Sequence, residues 1–459
     1  MLSEAADVFR AFLGDPYPVL LDSAMESPAG GWVGGYSVVA ADPFLILKSS
    51  GRHAWVEMGD RRWPAGSDPF SALRRLLAAH AIPPLPGVPL PQGGAIGYLG
   101  YDLGQHLERL PSRSRDDLAL PEMCLAFYDW CLVHHRSSGR AWMVATGLPD
   151  RDQQAASRRL EWALARLHGL EAAGEPIVDS RAWTAGALRS NFDRDEYLAA
   201  VERVKAYLVA GDIYQVNLSQ RFQGPLRGDS WQLYRRLRRV NPAPFGAYLG
   251  FPELTVMSAS PEEFLHVRGR EVRTRPIKGT RPRGPTPAQD RELALSLVES
   301  VKDRAENLMI VDLMRNDLGK VCRIGSVRVP RLFGLEAHPT VFHLVSTVTG
   351  ELEEGRDVVD LLRASFPGGS VTGAPKIRAM EIIDELEPHR RGVYCGAIGM
   401  LDFAGNLHLN MVIRTLVLAG DSFYLHVGGA IVADSDPADE YEETLHKGRG
   451  LFRALGYGG

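Results

Sequence analysis

A single lysine lies among four arginines in the segment VRTRPIKGTRPRG, which runs from Val272 to Gly284. Neighbouring cations and burial both disfavour an ammonium group, so both lower the pKa of a lysine. A lysine that has lost its proton can attack an electrophilic carbon. The segment therefore allows two interpretations. Lys278 is a nucleophile, or residues 273–283 form a basic surface hairpin that binds an anion or a nucleic acid.

An acid that could work with Lys278 precedes it in the segment SASPEEF. Glu262 and Glu263 stand at the end of a predicted strand, and a hairpin from there would bring Glu262 beside the amine. A carboxyl group that protonates a leaving group while an amine attacks carbon forms a workable pair. Glu262 and Lys278 are therefore candidates for a catalytic pair.

Two predicted helices each carry a pair of carboxylates three residues apart, Asp303 with Glu306 and Glu440 with Glu443. Residues at this spacing share one helix face, and Lys447 continues the face of the second pair. Either pair alone is typical of a solvated helix face. Two helices that converge could instead hold one hard cation, and a few carboxylates with open positions suit Mg²⁺.

Three glycine-rich segments bear on ligand binding. FPGGSVTGAPK lacks the spacing of a P-loop, and GGAIGYLGYDLG lacks the acidic residue of a dinucleotide-binding fingerprint. HVGGAIVADS places Gly428 and Gly429 inside a predicted strand. Glycine within a strand often marks a close approach of a ligand, and backbone N–H groups there can bind an anion.

Local patterns predict the elements that position these residues. Residues 193–212 predict a helix with Asp193 at its N-cap and Glu196 completing a capping box. Further helices are predicted over residues 301–320 and 437–455. The segment IYQVNLSQRF predicts a strand with one face of amide and hydroxyl side chains, which indicates either solvent exposure or a polar cleft.

Composition excludes several classes of protein. The chain has 459 residues, with 52 Lys and Arg against 56 Asp and Glu, and a formal net charge of −4. A nucleic-acid-binding protein usually carries a basic excess. The four cysteines lack zinc-ligand spacing, no apolar run is long enough to span a membrane, and the N-terminus is unlike a signal peptide. We expect a cytoplasmic protein that binds neither nucleic acid nor membranes.

Eight segments in fixed order resemble the chorismate-utilising enzymes: SPEEF, PIKGTRPRG, RAENLMIVDLMRNDLGK, FHLVST, FPGGSVTGAPKIRAMEII, YCGAIG, MVIRT and EYEETLHK. This family includes anthranilate synthase component I, aminodeoxychorismate synthase component I, isochorismate synthase and salicylate synthase. The resemblance implies an α+β fold in which two largely antiparallel β-sheets pack face to face and are flanked by helices. It also implies an N-terminal region over residues 1–170 and a chorismate-binding catalytic domain over residues 190–455, together forming one compact unit.

Two positions distinguish the branches of this family. Anthranilate synthases carry Ala at the position of Lys278, whereas Lys in a PIKGT motif marks the aminodeoxychorismate synthases. The branches that add water carry a general-base Lys at the position of Gln215, and an amide cannot take a proton from water. The resemblance therefore implies conversion of chorismate and ammonia to 4-amino-4-deoxychorismate, the precursor of 4-aminobenzoate in folate synthesis. Anthranilate synthase component I is the alternative within the family.

The resemblance also implies a mechanism and a partner. Lys278 would attack C2 of chorismate while Glu262 protonates the leaving C4 hydroxyl. Ammonia would then attack C4 and expel the lysine, with Glu262 acting as the base. A separate class I glutamine amidotransferase subunit would supply the ammonia within a heterodimer.

Further residues match the metal and substrate positions of the family. Glu306 and Glu443 would bind Mg²⁺ directly, and Asp303 and Glu440 would act through water. The implied substrate-binding residues are Thr280, His343, Ser370, Tyr394, Arg414, Gly428, Gly429 and Lys447.

Some family members bind L-tryptophan in the N-terminal part. Ser23, Pro244, Phe245 and Gly246 match that pocket. The segment GGYSV, however, places a Gly-Gly pair at residues 34–35, where those members carry an Arg-bearing segment. Tryptophan binding is therefore an open expectation.

Overall fold

The computed structural model describes residues 4–25, 35–84, 91–171, 182–339 and 341–457. The helices are α1 Ala5–Phe9, α2 Pro69–Ala79, α3 Gln153–Glu171, α4 Arg194–Val209, α5 Ser230–Val240, α6 Pro287–Glu299, α7 Val301–Gly319, α8 Val358–Ser365, α9 Lys376–Leu386 and α10 Pro437–Leu455. Short 3-10 helices lie at Arg10–Phe12, Tyr101–His106 and Gly369–Val371.

The strands before residue 170 are β1 Val19–Asp22, β2 Tyr36–Ala40, β3 Leu45–Ser50, β4 His53–Met58, β5 Arg61–Gly66, β6 Gly94–Leu99, β7 Met123–Tyr128, β8 Trp130–His135 and β9 Arg140–Ala145. The later strands are β10 Trp183–Ala185, β11 Arg189–Ser190, β12 Gln215–Gly228, β13 Phe245–Gly250, β14 Thr255–Ser260, β15 Glu263–Arg268, β16 Glu271–Arg275, β17 Ile277–Pro282, β18 Arg328–Ala337, β19 Val341–Glu351, β20 Gly373–Ala374, β21 Ala397–Asp402, β22 Leu407–Met411, β23 Thr415–Ala419 and β24 Ser422–Ile431.

These strands form two antiparallel sheets. The order in the first is β10-β12-β24-β23-β14-β13-β1-β2-β8-β9, with β11 and β20 also paired to β12. The order in the second is β17-β19-β16-β15-β22-β21-β6-β7-β3-β4-β5, with β18 also paired to β19. Both sheets mix strands from the two predicted regions, because β1 pairs with β13 and β6 pairs with β21. The predicted α+β fold with two antiparallel sheets and flanking helices is confirmed.

Alternation of side chains along the strands explains how the sheets pack. In β6, Ile96 and Tyr98 lie in a buried cluster that also contains Leu249 of the other sheet. Ala95 and Leu99 of the same strand lie in a different cluster, shared with several helices. Successive side chains of a strand point to opposite faces. Each sheet therefore buries one face against the other sheet and its second face beneath helices.

The three predicted helices are confirmed as α4, α7 and α10, and side chains define where they begin. The carboxylates of Asp193 and Glu196 each accept a hydrogen bond of 2.8 Å from the other residue's backbone N–H, which completes the predicted capping box of α4. Ser300 caps α7 by accepting from the N–H of Asp303 at 3.2 Å, and Asp436 caps α10. Among the described residues, no helix is long and apolar enough to cross a membrane.

The polar face of β12 lies inside the protein. Gln215, Asn217 and Ser219 alternate with Val216 and Leu218 along the strand, and all five side chains are buried. The strand pairs with β24 on one side and with the short β20 at its beginning. Solvent exposure, one of the two predicted alternatives for this face, is therefore wrong.

Candidate active site

Lys278 and Glu262 come together from neighbouring parts of the second sheet. Lys278 is the second residue of β17, and Glu262 immediately precedes β15. The Glu262 carboxyl accepts hydrogen bonds from the Ser370 hydroxyl and from the backbone N–H of Ile277, the residue before Lys278. Burial raises the pKa of Glu262 to about 7, although these hydrogen bonds and the Lys278 charge act in the opposite direction. A carboxyl group with such a pKa can both give and take a proton near neutral pH.

The pKa of Lys278 is lowered, chiefly by burial. The Lys447 ammonium also lowers it, while the carboxylates of Glu306, Glu262 and Glu443 act in the opposite direction. The predicted lowering by burial is confirmed. The nearby cation, however, is Lys447 and not one of the four flanking arginines.

Each of those four arginines has a carboxylate partner that offsets its charge. The pairs are Arg273 with Glu263 at 2.9 Å, Arg275 with Glu336 at 2.5 Å, Arg281 with Asp303 at 2.8 Å and Arg283 with Asp290 at 2.6 Å. The predicted effect of the arginines on Lys278 is therefore wrong. Distances of this size are those of charge-assisted hydrogen bonds.

Two of the predicted metal ligands face one glycine. A β-carbon at Gly429 would lie 3.1 Å from Glu440 Oε2 and 3.3 Å from Glu443 Oε1, so both carboxylates lie in tight contact with the position that a side chain would take. Glu440 Oε1 accepts a hydrogen bond of 2.6 Å from the Ser435 hydroxyl. Glu440 Oε2 is buried and has no hydrogen-bond partner within the described ranges. A buried carboxylate oxygen without a donor is a favourable position for a cation.

The two predicted metal ligands on α7, Asp303 and Glu306, lie in different environments. Burial raises the pKa of Glu306, and this carboxylate also interacts electrostatically with Lys278 and Glu443. Asp303 instead binds Arg281 at 2.8 Å and packs against Gly279, where a β-carbon would lie 2.9 Å from the Asp303 β-carbon. In the part of the chain that the structure describes, no three His, Cys, Asp or Glu side chains are already arranged to hold a metal ion. The Mg²⁺ site stays a prediction.

The predicted substrate residues around Gly428 are connected to one another. Lys447 Nζ lies 2.6 Å from Glu443 Oε1 and donates a hydrogen bond of 3.0 Å to the backbone oxygen of Gly428. The Arg414 guanidinium donates to the backbone oxygen of Lys447. Burial lowers the pKa of Arg414, while Tyr394 and Glu443 act in the opposite direction. The structure therefore brings two cations, Lys447 of α10 and Arg414 of the segment before β23, together beside Gly428 and Glu443.

Thr280 and His343 form a separate polar pair beside Lys278. They face each other across β17 and β19, and Thr280 Oγ1 lies 3.0 Å from His343 Nδ1. Burial, assisted by the charges of His338 and Arg414, lowers the pKa of His343 to about 3. The imidazole is therefore neutral at physiological pH and serves as a hydrogen-bonding group, not as a charge.

Sequence reasoning missed a buried ion pair near β24, the strand that contains Gly428 and Gly429. Arg391 and Glu387 are linked at 2.6 Å, and Glu387 Oε1 also accepts from the N–H and hydroxyl of Ser219 at 2.8 and 2.9 Å. Ser219 in turn pairs with Gly428. The arginine and glutamate stand four residues apart, but the pair lies beyond the end of α9, so helical spacing gave no signal for it.

The residues predicted to bind tryptophan also lie together. The Ser23 hydroxyl is 3.4 Å from the backbone oxygen of Pro244. Pro244, Phe245 and Gly246 line a cleft of about 450 Å³ together with Asp22. Residue 34 lies outside the described residues, and Gly35 lies inside them. Tryptophan binding is not tested by this arrangement and stays a prediction.

Comparison with known proteins adds to this geometry. Residues 35–453 match a family model described as chorismate binding enzyme. An aminodeoxychorismate synthase component 1 of Klebsiella aerogenes is 44% identical over 448 residues, which cover 97% of this chain and 95% of the relative. An anthranilate synthase component 1 of Thermus thermophilus is 44% identical over 388 residues, which cover 84% of this chain and 82% of the relative. Among solved structures, anthranilate synthase component I from Streptococcus pneumoniae is 31% identical, with a TM-score of 0.79 over 90% of this chain and 91% of that chain.

Proposed function

Because the chain belongs to the family of chorismate binding enzymes, we propose that it is component 1 of an aminodeoxychorismate synthase. It converts chorismate and ammonia into 4-amino-4-deoxychorismate on the way to 4-aminobenzoate and folate. The observation that carries this proposal is the pair formed by Lys278 and Glu262. The lysine has a lowered pKa, and the glutamic acid beside it has a pKa of about 7.

The first chemical step uses Lys278 as a nucleophile and Glu262 as an acid. A bond forms between Lys278 Nζ and C2 of chorismate, the two conjugated ring double bonds shift towards C4, and the C4–oxygen bond breaks. Glu262 gives its proton to the departing hydroxyl, which leaves as water. Burial supports both roles, because it disfavours the charged form of the amine and of the carboxylate alike.

The second step returns the enzyme to its starting state. Ammonia forms a bond to C4, the two double bonds shift back, and the bond between C2 and Lys278 Nζ breaks, which releases the neutral amine. Glu262, now ionised, takes the proton that the new ammonium group releases. We assign the ammonia supply to a separate class I glutamine amidotransferase subunit that forms a heterodimer with this chain.

The carboxylates at Gly429 support the proposal of a bound Mg²⁺ ion. Glu306 and Glu443 would hold it directly, and Glu440 and Asp303 would act through water. The buried Oε2 of Glu440, which lacks a hydrogen-bond partner in the described structure, supports a cation at this point. When bound, the ion supplies positive charge for the ring carboxylate of chorismate.

The remaining substrate contacts fall to groups that already lie together. Lys447, Arg414 and the backbone of Gly428 and Gly429 would hold the enolpyruvyl carboxylate, with Tyr394 beside them. Lys447 would exchange its contact with Glu443 for the substrate. Thr280 and neutral His343 supply hydrogen bonds next to Lys278.

Two further assignments complete the proposal. The cleft lined by Pro244, Phe245 and Gly246 is large enough for an amino acid, and a rise in melting temperature with L-tryptophan would test it. We place the protein in the cytoplasm, because its four cysteines are all free and buried, as is usual in a reducing compartment.

Anthranilate synthase component I is the second candidate, supported by the relatives of that name at up to 44% identity. The two functions differ in product. Purified protein incubated with chorismate, an ammonium salt and Mg²⁺ should form 4-amino-4-deoxychorismate, identified by chromatography and mass. Anthranilate formed without a lyase would refute the proposal. The third alternative, a protein that binds nucleic acid through residues 273–283, is disfavoured because those arginines already have carboxylate partners.

A further inference from the structure

Lys302 is a cation that the proposed reaction does not use. It is the second residue of α7, next to Asp303 and one turn before Glu306. Its Nζ lies 3.8 Å from Glu440 Oε1 on α10. Within the described parts of the chain, this is the only ion pair that joins α7 to α10. The lysine thus reaches from one proposed metal-binding helix to a carboxylate of the other.

The two members of this pair differ in exposure. The Lys302 side chain is 53% exposed, whereas the Glu440 side chain is 4% exposed. Burying a carboxylate costs free energy unless positive charge or hydrogen bonds compensate it. Among the described residues, Glu440 accepts a side-chain hydrogen bond only from the Ser435 hydroxyl, and only on one of its two oxygens. The half-exposed Lys302 supplies a positive charge next to the buried Glu440 carboxylate.

Lys302 interacts with the other carboxylates as well. Its charge acts on Glu306, Glu440 and Glu443, which come from both helices. One ammonium therefore faces the set of ligands that the proposed Mg²⁺ would also need.

We propose that Lys302 supplies the positive charge beside these carboxylates when no metal is bound, and that its ammonium must move away from Glu440 when Mg²⁺ binds. This inference rests on the proposed metal-dependent function. Because the Lys302 side chain is half exposed and its Nζ lies 3.8 Å from Glu440 Oε1, the ammonium can turn into solvent. Lys302 is a positioning residue in this scheme. It ties α7 to α10, and it lowers the affinity for Mg²⁺ by competing with the ion.

The test is Mg²⁺ binding to the full chain without chorismate, measured by isothermal titration calorimetry. Lys302→Met should bind Mg²⁺ about tenfold more tightly at low ionic strength, because a charge a few ångströms from a divalent ion is felt even through water. The difference should shrink in high salt. Lys302→Arg keeps the charge and should stay within about twofold of the wild type.

Lys320→Met is a matched control. Lys320 follows the other end of α7, and its side chain is also 53% exposed and also paired with a carboxylate, that of Asp317. Its replacement should leave Mg²⁺ affinity unchanged. Unfolding experiments give a second measurement, since Mg²⁺ should raise the melting temperature of Lys302→Met more than that of the wild type.

Two results would overturn the inference. Unchanged or weaker Mg²⁺ binding by Lys302→Met would show that the lysine does not compete with the ion. Weaker chorismate binding with unchanged Mg²⁺ affinity would make Lys302 a substrate ligand instead. A wrong assignment of the metal site would give a different result. The wild type would then bind no Mg²⁺, or Glu440→Gln would bind Mg²⁺ as tightly as the wild type does.

Discussion

Glu262 and Glu263 are consecutive, both buried, and their carboxyl groups have pKa values shifted in opposite directions. Burial raises the pKa of Glu262 to about 7. Burial also acts on Glu263, but hydrogen bonds and charges from His408 and Arg273 lower its pKa to about 2. Glu262 can thus exchange a proton near neutral pH. Glu263 stays ionised and accepts a hydrogen bond of 2.9 Å from Arg273 Nε.

Replacing Glu262 by Gln should stabilise the protein at alkaline pH while abolishing amination. The folded protein keeps the Glu262 proton up to about pH 7, whereas an unfolded chain releases it near the ordinary value of 4.5. Between about pH 4.5 and pH 7 the native state therefore binds more protons than the unfolded chain, and the stability of the wild type falls as the pH rises through this range. Glutamine is neutral, so the variant escapes that loss. Urea unfolding should show a gain of up to about 3 kcal/mol at pH 8 and little difference at pH 4.5.

Glu263→Gln is the matched control, with the opposite sign. Because the folded-state pKa is depressed, the ionised carboxylate contributes stability that is present above pH 4.5 and lost as pH falls towards 2. Its removal should destabilise the protein at pH 7 by about 3 kcal/mol, and more if Arg273 is left uncompensated. If both variants shifted stability in the same direction, the assignment of the two environments would be wrong.

Lys278→Ala should abolish covalent capture of chorismate. Incubation of the wild type with chorismate and Mg²⁺ but without ammonia should yield a protein heavier by chorismate less one water. Peptide mapping should place the added mass on Lys278. The same adduct should form in Lys320→Met, which changes a lysine outside the site. An adduct that persists in Lys278→Ala would remove the lysine from the mechanism.

Gly429→Ala should weaken Mg²⁺ and chorismate binding at least tenfold. The added methyl would lie 3.1 Å from Glu440 Oε2 and 3.3 Å from Glu443 Oε1, so both carboxylates must move. Overpacking of this kind costs about 1–3 kcal/mol. Calorimetry with Mg²⁺ and steady-state kinetics with chorismate both report the change.

Gly319→Ala provides the comparison for Gly429→Ala. Gly319 is the last residue of α7, and a β-carbon there would meet nothing within 4 Å. Its replacement should leave both affinities at the wild-type level. Equal losses in the two variants would indicate a general effect on the fold and contradict the role given to Gly429.

Local spacing predicted those parts of the site that depend on one element at a time. The capping box of Asp193 and Glu196 and the placement of Asp303, Glu306, Glu440 and Glu443 on two helices follow from residues three apart. Such patterns need no knowledge of the rest of the chain, because the geometry of a helix turn fixes them. The same holds for the alternation that separates the two faces of each strand.

Partners that are distant in sequence account for the predictions that failed. The effect assigned to the arginines around Lys278 was wrong because Glu336 and Asp303 reach them from other elements. The polar face of β12 is buried because residues distant in the sequence cover it, such as Glu387, which accepts hydrogen bonds from Ser219. Neither result follows from the local sequence, since a charge is neutralised by whatever the fold brings near it.

Each sheet joins a block of early strands to a block of late strands, and this governs how the chain can be made and divided. Gly94 in β6 pairs with Asp402 in β21, so most of the polypeptide must leave the ribosome before that edge is covered. Contacts so distant in sequence slow folding, and uncovered strand edges favour association between nascent chains. A cut between residues 171 and 182 would divide each sheet at one strand pair, β1 with β13 and β6 with β21, and would leave uncovered strand edges on both fragments. Expressed separately, the halves would depend on each other for solubility, and the natural unit of folding is the intact chain.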